Sequence, residues 1–458
     1  MRAPGAVLLV STYELGHQPA GLAQPKAFLE RAGFRPAALD LAVDPLDPAR
    51  VRAARLVLFS VPMHTALRLA LRAAERVREL APEAVLAFHG TYALLHGPLL
   101  LRRGAAVLGG ECEEDLVLLC QAVERGDDLA RFRATGPAFA TLRRLDFPVP
   151  SRAGLPPPGR YARLDDGEGR ERLAGHVEAT RGCKHRCRHC PLPAVYRGRF
   201  FAVPVDVVVE DAAQQVAAGV THLTFGDPDF LNGPTHALRV TEALHARFPE
   251  LTFDFTAKVE HLVREARLLP ALRRAGALFV VSAVESLSDE VLARLDKGHR
   301  SADVPRAFGA CRAAGLALRP SLLPFTPWSS LGDYLELLDT FARHGWLATL
   351  DPVQLSIRLL VPPGSLLAGD PALAGASFDE AALGLVWRHP DPRMDALQEK
   401  VARVVEQAAT QREPPEETFS RLRQLALAAA GRPHRHVPPF VAADTGRRAP
   451  RLTESWFC

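Results

Sequence analysis

Cys183, Cys187 and Cys190 stand within a single stretch of eight residues, a C-x3-C-x2-C triplet in the run Arg181-Gly182-Cys183-Lys184-His185-Arg186-Cys187-Arg188-His189-Cys190-Pro191. Three thiolates at this spacing can hold three irons of a 4Fe-4S cluster and leave the fourth iron open to a small ligand. A small zinc knuckle is the alternative, with His185 or His189 as the fourth ligand. It ranks lower, because structural zinc sites usually pair two short-spaced ligand couples, whereas this is one compact triplet in a long chain. Disulfides rank lower still. Seven cysteines in 458 residues with no secretory signal describe a reducing compartment, so a cytoplasmic location is expected. Cys112, Cys120 and Cys311 read as ordinary buried small residues.

The triplet resembles that of the radical S-adenosylmethionine (SAM) superfamily, and His189 fills the aromatic position that superfamily places before the third Cys. The resemblance implies a cluster whose open iron takes the amine and carboxylate of SAM. One electron, from an external flavodoxin- or ferredoxin-type donor, then cleaves SAM to a 5'-deoxyadenosyl radical.

Elements must carry this loop to its ligands. Residues 1–130 alternate continuous apolar runs (Ala6 to Val10, Ala37 to Val43, Leu56 to Val61, Val85 to Phe88, Ala105 to Leu108) with helical patterns such as Ala66 to Leu80. This predicts a doubly wound, Rossmann-like α/β domain whose ligands bind at the carboxyl ends of its strands. The residues there include Ser11, Thr12, Ser60, Met63, His64, Gly90, Gly110 and Glu111. Followed by the Cys triplet, the domain resembles the cobalamin-binding domain of cobalamin-dependent radical SAM enzymes, including Gly109-Gly110-Glu111 after the last strand. The resemblance makes those eight residues cobalamin contacts. The Asp-x-His-x-x-Gly signature that supplies a cobalt-ligating histidine is absent, so cobalamin without a protein histidine and a cofactor-free scaffold both remain open. Taken singly, His17, His64 and His89 read as polar loop residues.

Residues 131–170, rich in Pro, Gly and charge without a period, read as a linker. Strand-helix alternation resumes over 171–365, with strands expected at His176 to Thr180, His222 to Phe225, Thr252 to Thr256, Ala277 to Ala283, Ala317 to Leu323 and Val353 to Leu360. Six repeats match the partial (β/α)6 barrel of the radical SAM fold, with chemistry at the carboxyl ends of the strands. The resemblance then implies SAM contacts from Gly226 and Asp227 after the second strand, from Glu285 and Ser286 after the fourth, and a structural role for Lys297. Arg319 and Arg358 are cations in apolar runs. Either can grip the SAM carboxylate or a substrate acid, or form a structural salt bridge, and Lys258 carries the same ambiguity.

Residues 366–458 read as a helical extension, with amphipathic stretches at Ala396 to Gln407 and Glu416 to Ala430, and a tail. The final Leu452-Thr453-Glu454-Ser455-Trp456-Phe457-Cys458 resembles a radical SAM family whose tails end in Cys-Cys-Ala-Glu-Pro, or in that motif with selenocysteine second. That resemblance makes Cys458 a catalytic thiol, and a selenocysteine codon read as a stop would end the chain there. An ordinary terminus is the alternative.

Composition sets bounds on partners. With 56 basic against 52 acidic residues, a net charge of +4 and no basic stripe, nothing marks a nucleic-acid surface, and no apolar run is long enough for a membrane span. The reading is a radical SAM enzyme with a 4Fe-4S cluster, SAM and cobalamin, methylating an unidentified small-molecule or peptide substrate. The alternatives are a cobalamin-independent rearrangement or group transfer and, in another class, a corrinoid or redox sensor.

Overall fold

A computed structural model of the chain describes residues 1–432 and 448–454. Strands β1 (Val7–Ser11), β2 (Ala37–Asp40), β3 (Leu56–Ser60), β4 (Val85–His89) and β5 (Ala106–Leu108) form an all-parallel sheet in the order β2-β1-β3-β4-β5. Every residue of β1 and β3 is buried, because helices cover both faces of the sheet, and this is why these strands read as unbroken apolar runs. The strand order reverses between β1 and β3, and a sheet of this order binds ligands at the carboxyl ends beside that switch point.

A second sheet is built on β6 (Arg163–Asp165), β7 (Glu171–Val177), β10 (His222–Phe225), β11 (Thr252–Thr256), β12 (Ala277–Glu285), β13 (Ala317–Leu322) and β16 (Arg451–Leu452). The order is β13-β12-β11-β10-β7-β6-β16. β7 and β10 to β13 are parallel and curl into the half barrel, while β6 and β16 add an antiparallel edge. The short pair β8 (Thr180–Gly182) and β9 (Phe200–Ala202) brackets the cysteine loop, and β14 (Ser377–Asp379) pairs with β15 (Gly384–Val386).

Two expectations change. The first barrel strand ends at Val177, and its expected last residue, Thr180, belongs to β8. The sixth expected strand, Val353 to Leu360, is no strand: it opens as a 3-10 turn at Pro352–Leu355, and its one β-bridge joins Arg358 to Phe325. Gln354 explains part of this, since its side-chain oxygen accepts from Leu322 N and takes the place of a backbone partner.

The segment read as a linker is packed. Leu145 and Phe147 join the barrel core. Arg152 is buried, bonding Asp211 through Nε (2.6 Å) and Nη2 (2.8 Å), Gln18 Oε1 (2.7 Å) and the His176 carbonyl (2.6 Å). One guanidinium thus ties the first domain's loop to the barrel. The helices Pro392–Gln411 and Pro415–Ala429 bury Met394, Leu397, Val401, Phe419 and Leu422 in the same core.

Candidate active site at the facing strand ends

The cysteine loop Cys183–Cys190 is held by the segments after two barrel strands, β10 and β12, and by Ser365 beyond the barrel. Asn232, after β10, donates from Nδ2 to Cys183 Sγ at 3.5 Å and accepts from Lys184 N at 3.3 Å. Leu295 O, after β12, accepts from Arg188 N at 2.9 Å, and Ser365 Oγ donates to Arg188 O at 3.2 Å. Gly182 enters the loop at φ +75°, where an added Cβ would lie 2.5 Å from the Tyr196 ring and 2.6 Å from Arg199 O, so only glycine fits. All three cysteines are free thiols. Burial, with Cys187 and Cys183 alongside, pushes the Cys190 thiol up to about 12. Such thiols give up their protons on binding metal, and three of them in one compact loop suit a three-thiolate cluster.

Asp227 sits in the predicted place after β10, but both its carboxylate oxygens accept from the strand end before the loop, from Ala179 N at 2.9 Å and from Thr180 Oγ1. Burial raises it to about 7. Its direct work is to fix the approach to Cys183. Gly226 lies against the His176 ring, 2.2 Å from where its Cβ would stand.

Glu285 ends β12 at φ +62°, an uncommon conformation for a side-chain-bearing residue. Its Oε1 lies 3.1 Å from Lys297 Nζ and 3.2 Å from His189 Nε2. Burial alone would raise this carboxyl, but Lys297 and His189 outweigh it and hold it well below the usual range. The strand-end Glu285 is therefore linked to the residue next to Cys190. Ser286 Oγ accepts from Ser288 N at 3.0 Å, closing the turn. Arg319 pairs with Asp351, and Arg358 bonds Asp395 at 2.7 Å while stacking on Trp387 at 3.6 Å. Both arginines are held in structural pairs.

The carboxyl ends of the first sheet face this mouth across a cavity of ≈ 270 Å³, lined by Ser60, Gly90 and Gly110 from one side and Arg181, Tyr196 and Gly226 from the other. Of the other strand-end residues expected near a ligand, Thr12 donates to Ala66 O at 2.8 Å and His64 Nε2 lies 2.8 Å from Ala382 O, so both are engaged elsewhere. Met63 is the residue before the helix His64–Leu80. Ser11 Oγ and His89 Nε2 are buried without hydrogen-bond partners. Glu111 is sealed beneath Tyr196, whose hydroxyl donates to it at 3.0 Å. Gly110 takes φ +76°, and a Cβ there would stand 2.2 Å from Thr141 O.

Sequence reading missed Arg181, two residues before the first cysteine. Its guanidinium is buried against Glu113, Glu178 (3.0 Å) and Glu111 (3.7 Å), joining the first domain to the cysteine loop. Only a charge placed in an otherwise uncharged strand hinted at it. Cys458, with Trp456 and Phe457, lies outside the described residues.

Residues 177–338 match the family model of the radical SAM superfamily. The chain carries a radical SAM domain. Such a domain implies a 4Fe-4S cluster and SAM, and the cysteine loop, placed at the carboxyl mouth of a half barrel, has the donors for the cluster. Among curated proteins, the chain is 26% identical over 256 residues to the ribosomal protein uS12 methylthiotransferase RimO of Desulfosudis oleivorans, covering 50% of this chain and 57% of the relative. It is 27% identical over 218 residues to the GTP 3',8-cyclase of Mycolicibacterium smegmatis, covering 45% and 58%. The matches thus span less than two thirds of either relative. Among solved structures, the cobalamin-dependent SAM radical enzyme OxsB with aqua-cobalamin bound superposes with a TM-score of 0.65 at 15% identity, covering 86% of this chain and 66% of that one. The radical SAM methyltransferase TsrM of Kitasatospora setae, with cobalamin and cluster bound, gives 0.56 at 21% identity, covering 73% and 69%. At these identities the likeness is one of fold, and it takes in both the first domain and the barrel. Among the described residues, no helix is long and apolar enough to cross a membrane.

Proposed function

We propose that the protein is a cobalamin-dependent radical SAM enzyme that transfers a methyl group to a small-molecule or peptide substrate, fed by an external electron donor in the cytoplasm. The observation that carries this reading is the cavity between two sets of parallel strand ends, one side bearing the cysteine loop, in a chain whose fold is similar to those of OxsB with aqua-cobalamin bound and TsrM with cobalamin and cluster bound. When bound, the cluster and SAM supply reductive cleavage of SAM, and cobalamin supplies methyl transfer.

This chain's residues do the positioning. Cys183, Cys187 and Cys190 hold the cluster, and Asn232, Asp227 and Arg181 fix the loop that carries them. Glu285, Ser286 and Gly226 stand where SAM meets the barrel. Lys297 keeps Glu285 ionised in a buried place. On the opposite side, Ser11 and His89 offer buried polar atoms, and Gly90 and Gly110 line the cavity.

The test is anaerobic reconstitution followed by an optical spectrum with and without hydroxocobalamin, then a single-turnover assay with a reductant. Stoichiometric corrinoid, with 5'-deoxyadenosine and methionine released, is the expected result. Triple replacement of Cys183, Cys187 and Cys190 by Ala should leave neither cluster nor SAM cleavage, and near-stoichiometric iron and sulfide in that variant would sink the cluster assignment. No corrinoid uptake at micromolar concentration would leave a radical SAM enzyme with a scaffold domain.

A further inference from the structure

Outside the cysteine triplet, His185, Asp229 and His261 each offer one ligand atom, and these atoms all lie within 4.8 Å of one another. They come from three elements at the carboxyl mouth of the barrel. His185 belongs to the cysteine loop, Asp229 follows β10, and His261 lies in the first turn of the helix Val259–Arg264 after β11. Asp229 divides its carboxylate. Oδ1 accepts from Leu231 N at 3.2 Å and caps the 3-10 turn Phe230–Asn232, leaving Oδ2 turned toward the histidines.

Oδ2 lies 2.7 Å from His261 Nδ1 and 3.5 Å from His185 Nε2, and the two Nε2 atoms are 3.2 Å apart. The 2.7 Å approach lacks the alignment of a hydrogen bond, so Asp229 Oδ2 and His261 Nδ1 are both buried without a partner. Both side chains are more than nine-tenths buried, where an unsatisfied carboxylate oxygen is costly. Donors bonded at about 2.1 Å to one zinc or iron ion, at angles of about 80 to 115°, lie about 2.7 to 3.5 Å apart. With His261 bound through Nδ1, two of the three donor separations, 2.7 Å to Asp229 Oδ2 and 3.5 Å from that oxygen to His185 Nε2, are of that size, and the three donors lie within 4.8 Å of one another.

We propose that His185, Asp229 and His261 bind one divalent transition-metal ion, Zn(II) or Fe(II), in a mononuclear site separate from the cluster. Two imidazoles and one carboxylate suit these ions and leave coordination positions open. On the far side of the His185 ring, Lys258 Nζ lies 3.0 Å from Nδ1 and 3.3 Å from Glu260. Binding an ion through Nε2 puts the ring proton on Nδ1, so the ammonium must move off that nitrogen, beside which Glu260 Oε2 stands at 3.7 Å. The ion pins the cysteine loop to the ends of β10 and β11.

Cobalt(II) is the probe, with the full-length Cys183→Ala/Cys187→Ala/Cys190→Ala variant as host because it has no cluster and none of the loop thiolates. One Co(II) per chain should bind, with weak visible d–d bands, no sulfur charge-transfer band, and displacement by Zn(II). Adding Asp229→Asn or His261→Gln should weaken binding by at least about 100-fold. In parallel, metal analysis of the reconstituted wild type should find one ion beyond the cluster iron. His261→Gln should lose that ion while keeping the cluster absorption and sulfide. A natively folded triple variant that takes up no Co(II), or a His261→Gln protein with the wild-type metal count, overturns the proposal. If the triple variant does not fold, the comparison of wild type with His261→Gln decides alone. Loss of cluster bears on the cysteine assignment, and loss of the additional ion bears on this one.

Discussion

Lys297 is 2% exposed, and its ammonium is kept charged by Glu285. Glu285→Gln should therefore destabilise the fold by about 3–5 kcal/mol, because a buried charge loses its partner. Glu285→Gln/Lys297→Met should regain more than half of that, and denaturant midpoints of the two variants measure it. A second residue-scale prediction concerns His17 and His176, stacked at 4.9 Å and buried. Burial, with Arg152 nearby, lowers each to about 3. Below pH 6.5 the unfolded chain binds these protons and the folded chain does not, so stability falls as pH drops toward 3. At pH 5 the loss is about 2 kcal/mol per histidine. Urea midpoints across pH 5 to 7 should show that His17→Gln reduces the slope, and an unchanged slope would show that these rings do not titrate as described. At this scale the thiols were legible because their spacing lies within one loop. Arg181 was not, since Glu111 and Glu113 stand on the other domain and only the fold brings them together.

At the scale of elements, the turn into the cysteine loop is decided by Gly182. Gly182→Ala places a methyl against Tyr196 and the Arg199 carbonyl at a positive φ, so either β8 or β9 must shift. We expect a loss of about 2 kcal/mol or more and a lower iron content after reconstitution, whereas a variant with full iron and unchanged stability would show that the loop tolerates the side chain. The parallel strands could be read from sequence because burial on both faces makes them continuously apolar. Val353 to Leu360 was misread for the same reason. Leu355 and Leu359 are buried against their neighbours, which makes the segment apolar without making it a strand, and Pro352 starts it in a turn.

At the scale of the molecule, Arg152 and Arg181 both tie the first domain to the barrel, and Arg152 does so from the segment between them. It reaches Gln18 in the first domain and Asp211 and His176 in the barrel from a segment whose composition marks only a linker. Composition cannot report a contact made across 59 residues. Arg152→Ala should destabilise by about 3–5 kcal/mol, since Asp211 is left buried and unpaired. It should also split one calorimetric transition into two, and a single transition at an unchanged midpoint would locate the coupling elsewhere.

The edge strand β16 has a consequence for synthesis. Arg451 and Leu452 cover β6, and Glu454 Oε1 accepts from Tyr13 Oη at 2.9 Å. While the nascent chain is being made, the ribosome completes β6 some 286 residues before its antiparallel partner. Throughout that interval the edge is a bare ladder open to other chains, and closing so long a loop is slow. The barrel therefore depends for its protection during translation on a strand made 286 residues after the edge it covers.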